Sequence, residues 1–316
     1  MIKVDSDTLS KIIKKRYDDM ILANNDYIDV GDLDVSNVED FSHAFENCEK
    51  VRIIKGLEHW NTSKAKNMSY MFSGCELLIA LDLSHFNTSN VLHMNGMFCG
   101  CKSLLSLNVS RFNTSRVVDM CRMFCDCKSI QTLILSSFNT SKVKDMLGMF
   151  WSCESLKALL FKFDTSNVKY MSYMFCDCKS LISLDLSSFN TSRVKNMRGM
   201  FCGCWSLNSL DLSSFNTSKV KNMREMFYKC KSLKTVNLLS FDTSRVKNMS
   251  HMFCGCKSII MLDLSSFETL RVKNMSHMFC DCESLDTLDM SRFDTTNVED
   301  MEDRFSGCEL DSVILM

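Results

Sequence analysis

Hydrophobic positions recur along this chain with a long period. From Val91 the apolar residues fall at Met94, Met97, Phe98 and Cys101, offsets of 3, 6, 7 and 10 that match one face of an amphipathic helix. Leu104, Leu107 and Val109 follow and end in alternation, which predicts a short half-buried strand, and Phe112 closes the turn into the next copy. Polar Asn87, Thr88 and Ser89 precede the block, and the hydroxyls of Thr88 and Ser89 are suited to bonding free N–H groups at a helix start. The full pattern reads N-T-S-x-V-x-x-M-x-x-M-F-x-x-C-x-S-L-x-x-L-D-L-S-x-F. It returns at Asn61, Asn87, Asn113, Asn139, Asp164, Asn190, Asn216, Asp242 and Asp294, with a Glu268 version and a degenerate copy at Asp34. Nearly every step is 26 residues.

Strand, turn, helix and return within one period make a coil of a right-handed β/α solenoid. About eleven such coils are expected over residues 34–316. Stacking them piles Met94 on Met120, Phe98 on Phe124 and Phe112 on Phe138, so the copies are expected to form one continuous stack with sulfur and aromatic columns inside. Residues 1–33 break the period. Leu9, Ile12, Ile13, Tyr17, Met20 and Ile21 trace a helical stripe behind Asp5, Ser6 and Asp7, which predicts an N-terminal helical cap over the first coil. At the other end Leu310, Val313 and Leu315 form a last strand with no polar cap after it, an edge expected to invite a homo-oligomer.

The repeat resembles that of the BspA-like leucine-rich-repeat proteins, bacterial surface proteins whose repeat has the same length. The resemblance covers about residues 34–316. It implies a leucine-rich-repeat superhelix and a non-catalytic role in adhesion or protein binding at a cell surface, and it brings no catalytic residues.

Composition narrows the choice. Apolar residues make up 46% and charged residues 24%, ample for a core, while proline is absent and glycine numbers 10. Disordered, collagen-like and proline-rich architectures are therefore excluded. The formal net charge of −1 leaves any electrostatic preference to local patterning. The start of the chain lacks a basic segment followed by an apolar run, and no stretch reaches the roughly 18 apolar residues of a membrane span. Those absences and the cysteine content point to the cytoplasm, whereas the family resemblance points to the surface. No Ser/His/Asp set, phosphate-cradling glycine loop or paired-carboxylate cleft occurs, so neither an enzyme activity, a small-molecule substrate nor a cofactor is expected.

Eleven of the 18 cysteines occupy one repeat position, from Cys48 to Cys308, at the end of the apolar stripe, where small buried thiols are expected. Six more stand two residues earlier in three adjacent-coil pairs, Cys99 with Cys125, Cys176 with Cys202 and Cys254 with Cys280. Coils about 4.8 Å apart place such pairs within reach of a disulfide. Cys99, Cys101, Cys125 and Cys127 together offer four thiolates for zinc, although the usual C-x₂₋₄-C spacing is missing and no metal site is assigned. His251 and His277 share a repeat position and are read as exposed helix residues.

Two polar ladders are candidate binding surfaces. The residue after the repeat valine is Lys144, Lys169, Lys195, Lys221, Lys247 and Lys273 in successive copies, and two residues earlier stand Lys142, Asn167, Arg193, Lys219, Arg245 and Arg271. This basic stripe suits an acidic glycan, another polyanion or an acidic protein surface. On the strand side Asp185, Asp211, Asp263 and Asp289, flanked by Ser and Thr, mark a concave face for a protein partner, with Ile134 and Leu160 as apolar breaks. The six Asn-Thr-Ser triplets match a glycosylation sequon, but Asp replaces Asn in sister copies, so the position is read as a turn or cap.

Overall fold

The computed structural model describes residues 1–309 and the backbone of residues 312–314. The chain forms two compact units, one of Met1–Asp145 with Met149–Phe163 and one of Met146–Gly148 with Asp164–Met316. Each is a stack of coils with the repeat's period, a leucine-rich-repeat solenoid.

The first unit opens with strand β1 (Ile2–Lys3) and helix α1 (Ser6–Leu22). Asp5 caps the helix: its carboxylate accepts the Thr8 N–H at 3.0 Å, and the Thr8 hydroxyl accepts the Asp5 N–H at 3.0 Å. Leu9, Ile13 and Met20 are buried as the stripe predicts, whereas Ile21, at the helix end, is exposed. The Ser6 hydroxyl accepts the N–H groups of Glu39 and Asp40, and the Arg16 guanidinium grips both carboxylate oxygens of Asp32 at 2.7 and 2.9 Å. Strands β2 (Tyr27–Asp29), β3 (Leu33–Asp34), β4 (Ile53–Lys55), β5 (Ala80–Asp82), β6 (Ser106–Asn108), β7 (Thr132–Ile134) and β8 (Ala158–Leu160) follow. They pair in parallel as β1 with β3, β2 with β4, β5 with β6 and β7 with β8.

The second unit holds β9 (Ser209–Asp211), β10 (Thr235–Asn237), β11 (Thr287–Asp289) and β12 (Ser312–Ile314), with β9 on β10 and β11 on β12. Among the described residues a three-residue strand forms in nine of the eleven copies; Leu184 and Leu262 lie in the two that lack it, so regular coils are fewer than sequence copies. Of the expected last strand, Leu310 and Leu315 lie outside the described residues.

One expectation is overturned. The segment from the repeat valine to the cysteine is not a helix in any copy but a run of stacked turns. Two residues in each run take the left-handed conformation, four positions apart: Gly96 and Gly100, Arg122 and Asp126, Gly199 and Gly203, His277 and Asp281. A left-handed residue in every turn breaks the run of i→i−4 hydrogen bonds that a helix requires. The N–H groups go instead to two kinds of acceptor in alternation. Ala44, Glu46 and Cys48 donate to carbonyls three residues back, while Phe45 and Asn47 donate to Met71 and Ser73 of the next coil at 2.8 and 2.7 Å. The apolar spacing is the same in both geometries, because either one turns the valine, methionines, phenylalanine and cysteine inward.

Those residues are buried in every copy but the last, where Met301 is exposed and Val298, Phe305 and Cys308 are half-buried. In the first unit the rings of Phe45, Phe72, Phe98, Phe124 and Phe150 stack at centroid separations of 5.2–5.9 Å, and in the second Phe175 through Phe305 stack at 5.3–5.8 Å. Such near-parallel pairs add about 0.5–1.5 kcal/mol each beyond the area they bury.

Candidate binding faces

The Asn-Thr-Ser start of each copy has a structural task, though not the expected one. Asn87 accepts the Ser89 N–H on its side-chain oxygen at 3.1 Å, an Asx turn that Asp164 reproduces with Ser166 at 2.9 Å. Asp substitutes for Asn because both offer that oxygen. The threonine does not cap its own segment. It is fully buried, and its hydroxyl bonds to the backbone of the following coil.

The strand-side aspartates are exposed and likewise turn-forming. Asp185, Asp211, Asp263 and Asp289 accept the N–H of Ser187, Ser213, Ser265 and Ser291 at 2.8–3.0 Å. These bonds favour the charged carboxylate and hold all four below the usual carboxylate range. Ile134 and Leu160 are partners in the β7–β8 register and more than half exposed. Leu105, Ile182 and Ile260, each directly after the buried Leu104, Leu181 or Ile259, are also exposed, and the repeat consensus does not mark them.

On the opposite arm the second unit carries a lysine column. Lys169, Lys195, Lys221, Lys247 and Lys273 are all exposed. Their backbones form one ladder: Lys221 N–H donates to Lys195 O, Lys247 to Lys221 and Lys273 to Lys247, at 2.8–2.9 Å. Arg193, Lys219, Arg245 and Arg271 run alongside, also exposed, with Arg193 bonded to Asn167 Oδ1 at 2.7 Å. Among the described residues Lys273 meets an acid, Glu299 at 2.8 Å, and the other four lysines of the column have no ion pair. In the first unit the same repeat position reads Glu39, Lys66, Leu92, Val118 and Lys144, with Lys66 paired to Glu39 at 2.7 Å, so no basic column forms there. Lys144 is exposed and its N–H bonds to Val118.

A second column treats its charge differently. The residue after the inner cysteine is of mixed sign, with Lys102 on Glu76 at 2.6 Å, Lys128 on Glu154 at 3.4 Å and Lys257 on Glu283. Between them Lys179 and Lys231 approach the Trp205 ring at 5.0 and 3.9 Å from its centroid. Single-residue alignment of this column shows the mixed signs, which a consensus letter hides.

The inner cysteines are packed thiols, as expected. Cys101, Cys127, Cys204, Cys230 and Cys256 are fully buried, and each Sγ lies 3.1–3.2 Å from a phenylalanine carbonyl of the preceding coil. Burial pushes these thiols up, Cys256 to about 12. With Cys101 and Cys127 turned to Phe72 and Phe98, the four-thiolate zinc arrangement is not assembled. The outer pairs are different: the sulfurs of Cys254 and Cys280 are 3.0 Å apart, and the Cys99 and Cys176 thiols are shifted by their neighbours Cys125 and Cys202 in the adjacent coils. Asp281 brings a carboxylate oxygen to 3.6 Å from Cys280. His251 and His277, with ring centroids 4.7 Å apart, sit half-buried at left-handed turn positions and not on a helix, and burial lowers the His251 pKa.

No helix among the described residues is long and apolar enough to cross a membrane. No curated protein matches the chain in sequence. Among solved structures it is similar to a leucine-rich repeat protein from Bacteroides ovatus, at 18% identity and TM-score 0.45, over 91% of this chain and 78% of that one. A leucine-rich cell surface protein from Faecalibacterium prausnitzii matches at 14% identity and TM-score 0.35, over 91% and 83%. A leucine-rich-repeat protein from Leptospira interrogans matches at 13% and 0.27, over 96% and 74%. One family profile matches in overlapping stretches, residues 14–134, 104–209, 132–235, 157–259 and 230–312. These stretches span the repeats almost without remainder, and the chain belongs to that family, described as Mycoplasma protein of unknown function, DUF285.

Proposed function

We propose that this protein is a non-catalytic binding scaffold whose second unit takes a linear polyanion, a sulfated or otherwise acidic glycan, along the lysine column. The observation that carries the reading is the run Lys169, Lys195, Lys221 and Lys247, exposed, in register and without an acidic partner among the described residues. Coils about 4.8 Å apart bring like charges close enough to repel by about 1 kcal/mol per pair even in water. An anionic chain laid along the column relieves that repulsion. The column after the inner cysteines supports the same reading by contrast, since there Glu76, Glu154, Glu283 and Trp205 already satisfy the lysines. Tyr170 beside Lys169 is the one exposed aromatic in the basic column among the described residues, and so sparse a set favours an acidic glycan over a single-stranded nucleic acid.

The test is retention on a heparin matrix across a salt series. Retention is expected to fall steeply between about 50 and 200 mM salt, as charge-dominated binding does. Lys195→Gln, Lys221→Gln and Lys247→Gln together are expected to abolish it, while Asp185→Asn and Asp211→Asn leave it unchanged. Salt-insensitive retention, or full retention by the triple variant, rejects the reading.

A further inference from the structure

We infer that the outer cysteine pairs, Cys99 with Cys125, Cys176 with Cys202 and Cys254 with Cys280, are thiol-modification sites that exchange with low-molecular-weight disulfides and close into cross-coil disulfides. All 18 cysteines are free thiols in the structure. The Cys254 and Cys280 sulfurs stand 3.0 Å apart, inside van der Waals contact and about 1 Å from a covalent S–S bond.

The coils already hold the partners in register. Gly100 N–H donates to the Cys125 carbonyl at 2.8 Å, Asp177 to Cys202 at 2.6 Å and Gly255 to Cys280 at 2.7 Å. In every pair, therefore, the residue after one cysteine is bonded to the backbone of the other. The position also tolerates exposure and substitution. Cys99, Cys125, Cys202 and Cys280 are partly exposed, and other copies place Ser73, Trp151 and Tyr228 there. The inner column runs beside it with the same coil spacing, but from Cys48 to Cys282 its thiols are buried in the core, with Cys101 and Cys256 against phenylalanine carbonyls, and Cys308 in the last copy is partly exposed. Between the buried coils, cross-coil chemistry is thus left to the outer column.

The reaction balances without any group beyond the small disulfide. The Cys99 thiolate attacks one sulfur of the disulfide, forming a mixed disulfide and releasing one small thiolate, which takes a proton. Cys125 then gives up its proton to solvent and attacks the Cys99 sulfur, expelling the second small thiol. Two protein thiols are oxidised and one disulfide is reduced to two thiols. The three pairs differ in their surroundings. Cys99 is pulled below the ordinary thiol range by its contact with Cys125 and by the Arg122 guanidinium, which outweighs the opposing Asp126 carboxylate, whereas the carboxylates of Asp177 and Asp281 lie 3.5 and 3.6 Å from Cys176 and Cys280. A nearby carboxylate opposes thiolate formation, so Cys99 with Cys125 closes first.

The test is incubation of the reduced, folded full chain with oxidised glutathione, followed by non-reducing peptide mapping over time. The expected products are the three named disulfides, with Cys99–Cys125 ahead of the other two and the fully buried Cys101, Cys127, Cys204, Cys230 and Cys256 unmodified. Cys125→Ser, a side chain that Ser73 already provides at this repeat position, is expected to leave a stable glutathione adduct on Cys99 without closure. A raised melting temperature of the oxidised chain, reversed by dithiothreitol, completes the expectation. Adducts that persist on the wild-type pairs without closing overturn the inference, as does modification of Cys101 or Cys127 at the same rate. A metal ion retained on the pairs that shields both thiols from glutathione also overturns it.

Discussion

Thr88 and Asn113 are joined by two hydrogen bonds across neighbouring coils: the Thr88 hydroxyl donates to the Asn113 carbonyl at 3.0 Å and accepts the Asn113 N–H at 2.8 Å. The threonine is 1% exposed, so it satisfies two backbone groups away from solvent. The arrangement recurs at Thr165 with Asn190, Thr191 with Asn216 and Thr217 with Asp242. The residue is conspicuous in the repeat because it is buried while its hydroxyl clamps the next coil.

Replacing Thr191 by valine keeps the shape and removes both bonds. The Asn216 N–H and carbonyl then lose the partner that the hydroxyl supplied, and a buried polar group so deprived costs about 1–3 kcal/mol. The urea midpoint of Thr191→Val is expected to fall accordingly, with the m-value unchanged. A midpoint equal to wild type means that the clamp contributes nothing to stability.

The aromatic column is expected to be the costliest place to cut. Phe201 is fully buried between Phe175 and Phe227, each ring centroid 5.8 Å away. Phe201→Ala leaves a cavity that two stacked rings cannot fill without breaking their own registers. A loss of about 3–5 kcal/mol follows, read from denaturant unfolding. Phe201→Leu, which retains most of the volume, is expected to lose well under half as much.

Inner and outer thiols should separate cleanly in alkylation. Cys101, Cys127 and Cys230 are fully buried with pKa values driven up by desolvation, so no thiolate reaches solvent. In iodoacetamide at neutral pH the native chain is expected to label at Cys99 and leave these three intact until urea unfolds it. Labelling of Cys230 in the folded protein as fast as Cys99 contradicts this packing.

The stacked coils were readable from the chain because one repeat places the same side chain at the same depth in every copy. Met94 and Met120, Phe98 and Phe124, and the cysteine pairs needed no more than that register. The helix reading failed because an apolar spacing of three and four is shared by a helix and by successive tight turns. The distinguishing feature is the left-handed residue, and glycine advertises it at positions 96, 148 and 199 while Tyr70, Arg122, Glu225 and His251 occupy the same place unmarked. Hydrogen bonds to the next coil were equally hidden, since the acceptor of Thr88 lies 25 residues on. The lysine column was visible as a pattern. What separates it from the column of Lys102, Lys128 and Lys257 is the partner in the adjacent coil, and that emerges from aligned neighbours and measured ion pairs.

Acid should loosen the strand-side turns through Asp185, Asp211, Asp263 and Asp289. Each accepts a serine N–H that favours the charged form, so the folded pKa lies below the unfolded one. A group of this kind contributes stability that is fully present above its unfolded pKa, about 3.9, and is lost as pH falls through the lower folded value. All four carboxylates are solvent-exposed, which limits the effect of each and makes the sum the quantity to measure. Asn108 and Asn237 make the same turn with Ser110 and Leu239, so asparagine is a native replacement that cannot titrate. A chain carrying all four Asp→Asn changes is expected to match wild type in melting temperature at pH 7 within a few degrees. Between about pH 5 and pH 3 it should fall less steeply. Parallel curves for the two proteins would place the acid sensitivity elsewhere, on Asp32 beside Arg16 or on the Asx turns of Asp164 and Asp294, whose carboxyls are lowered by the same kind of contact.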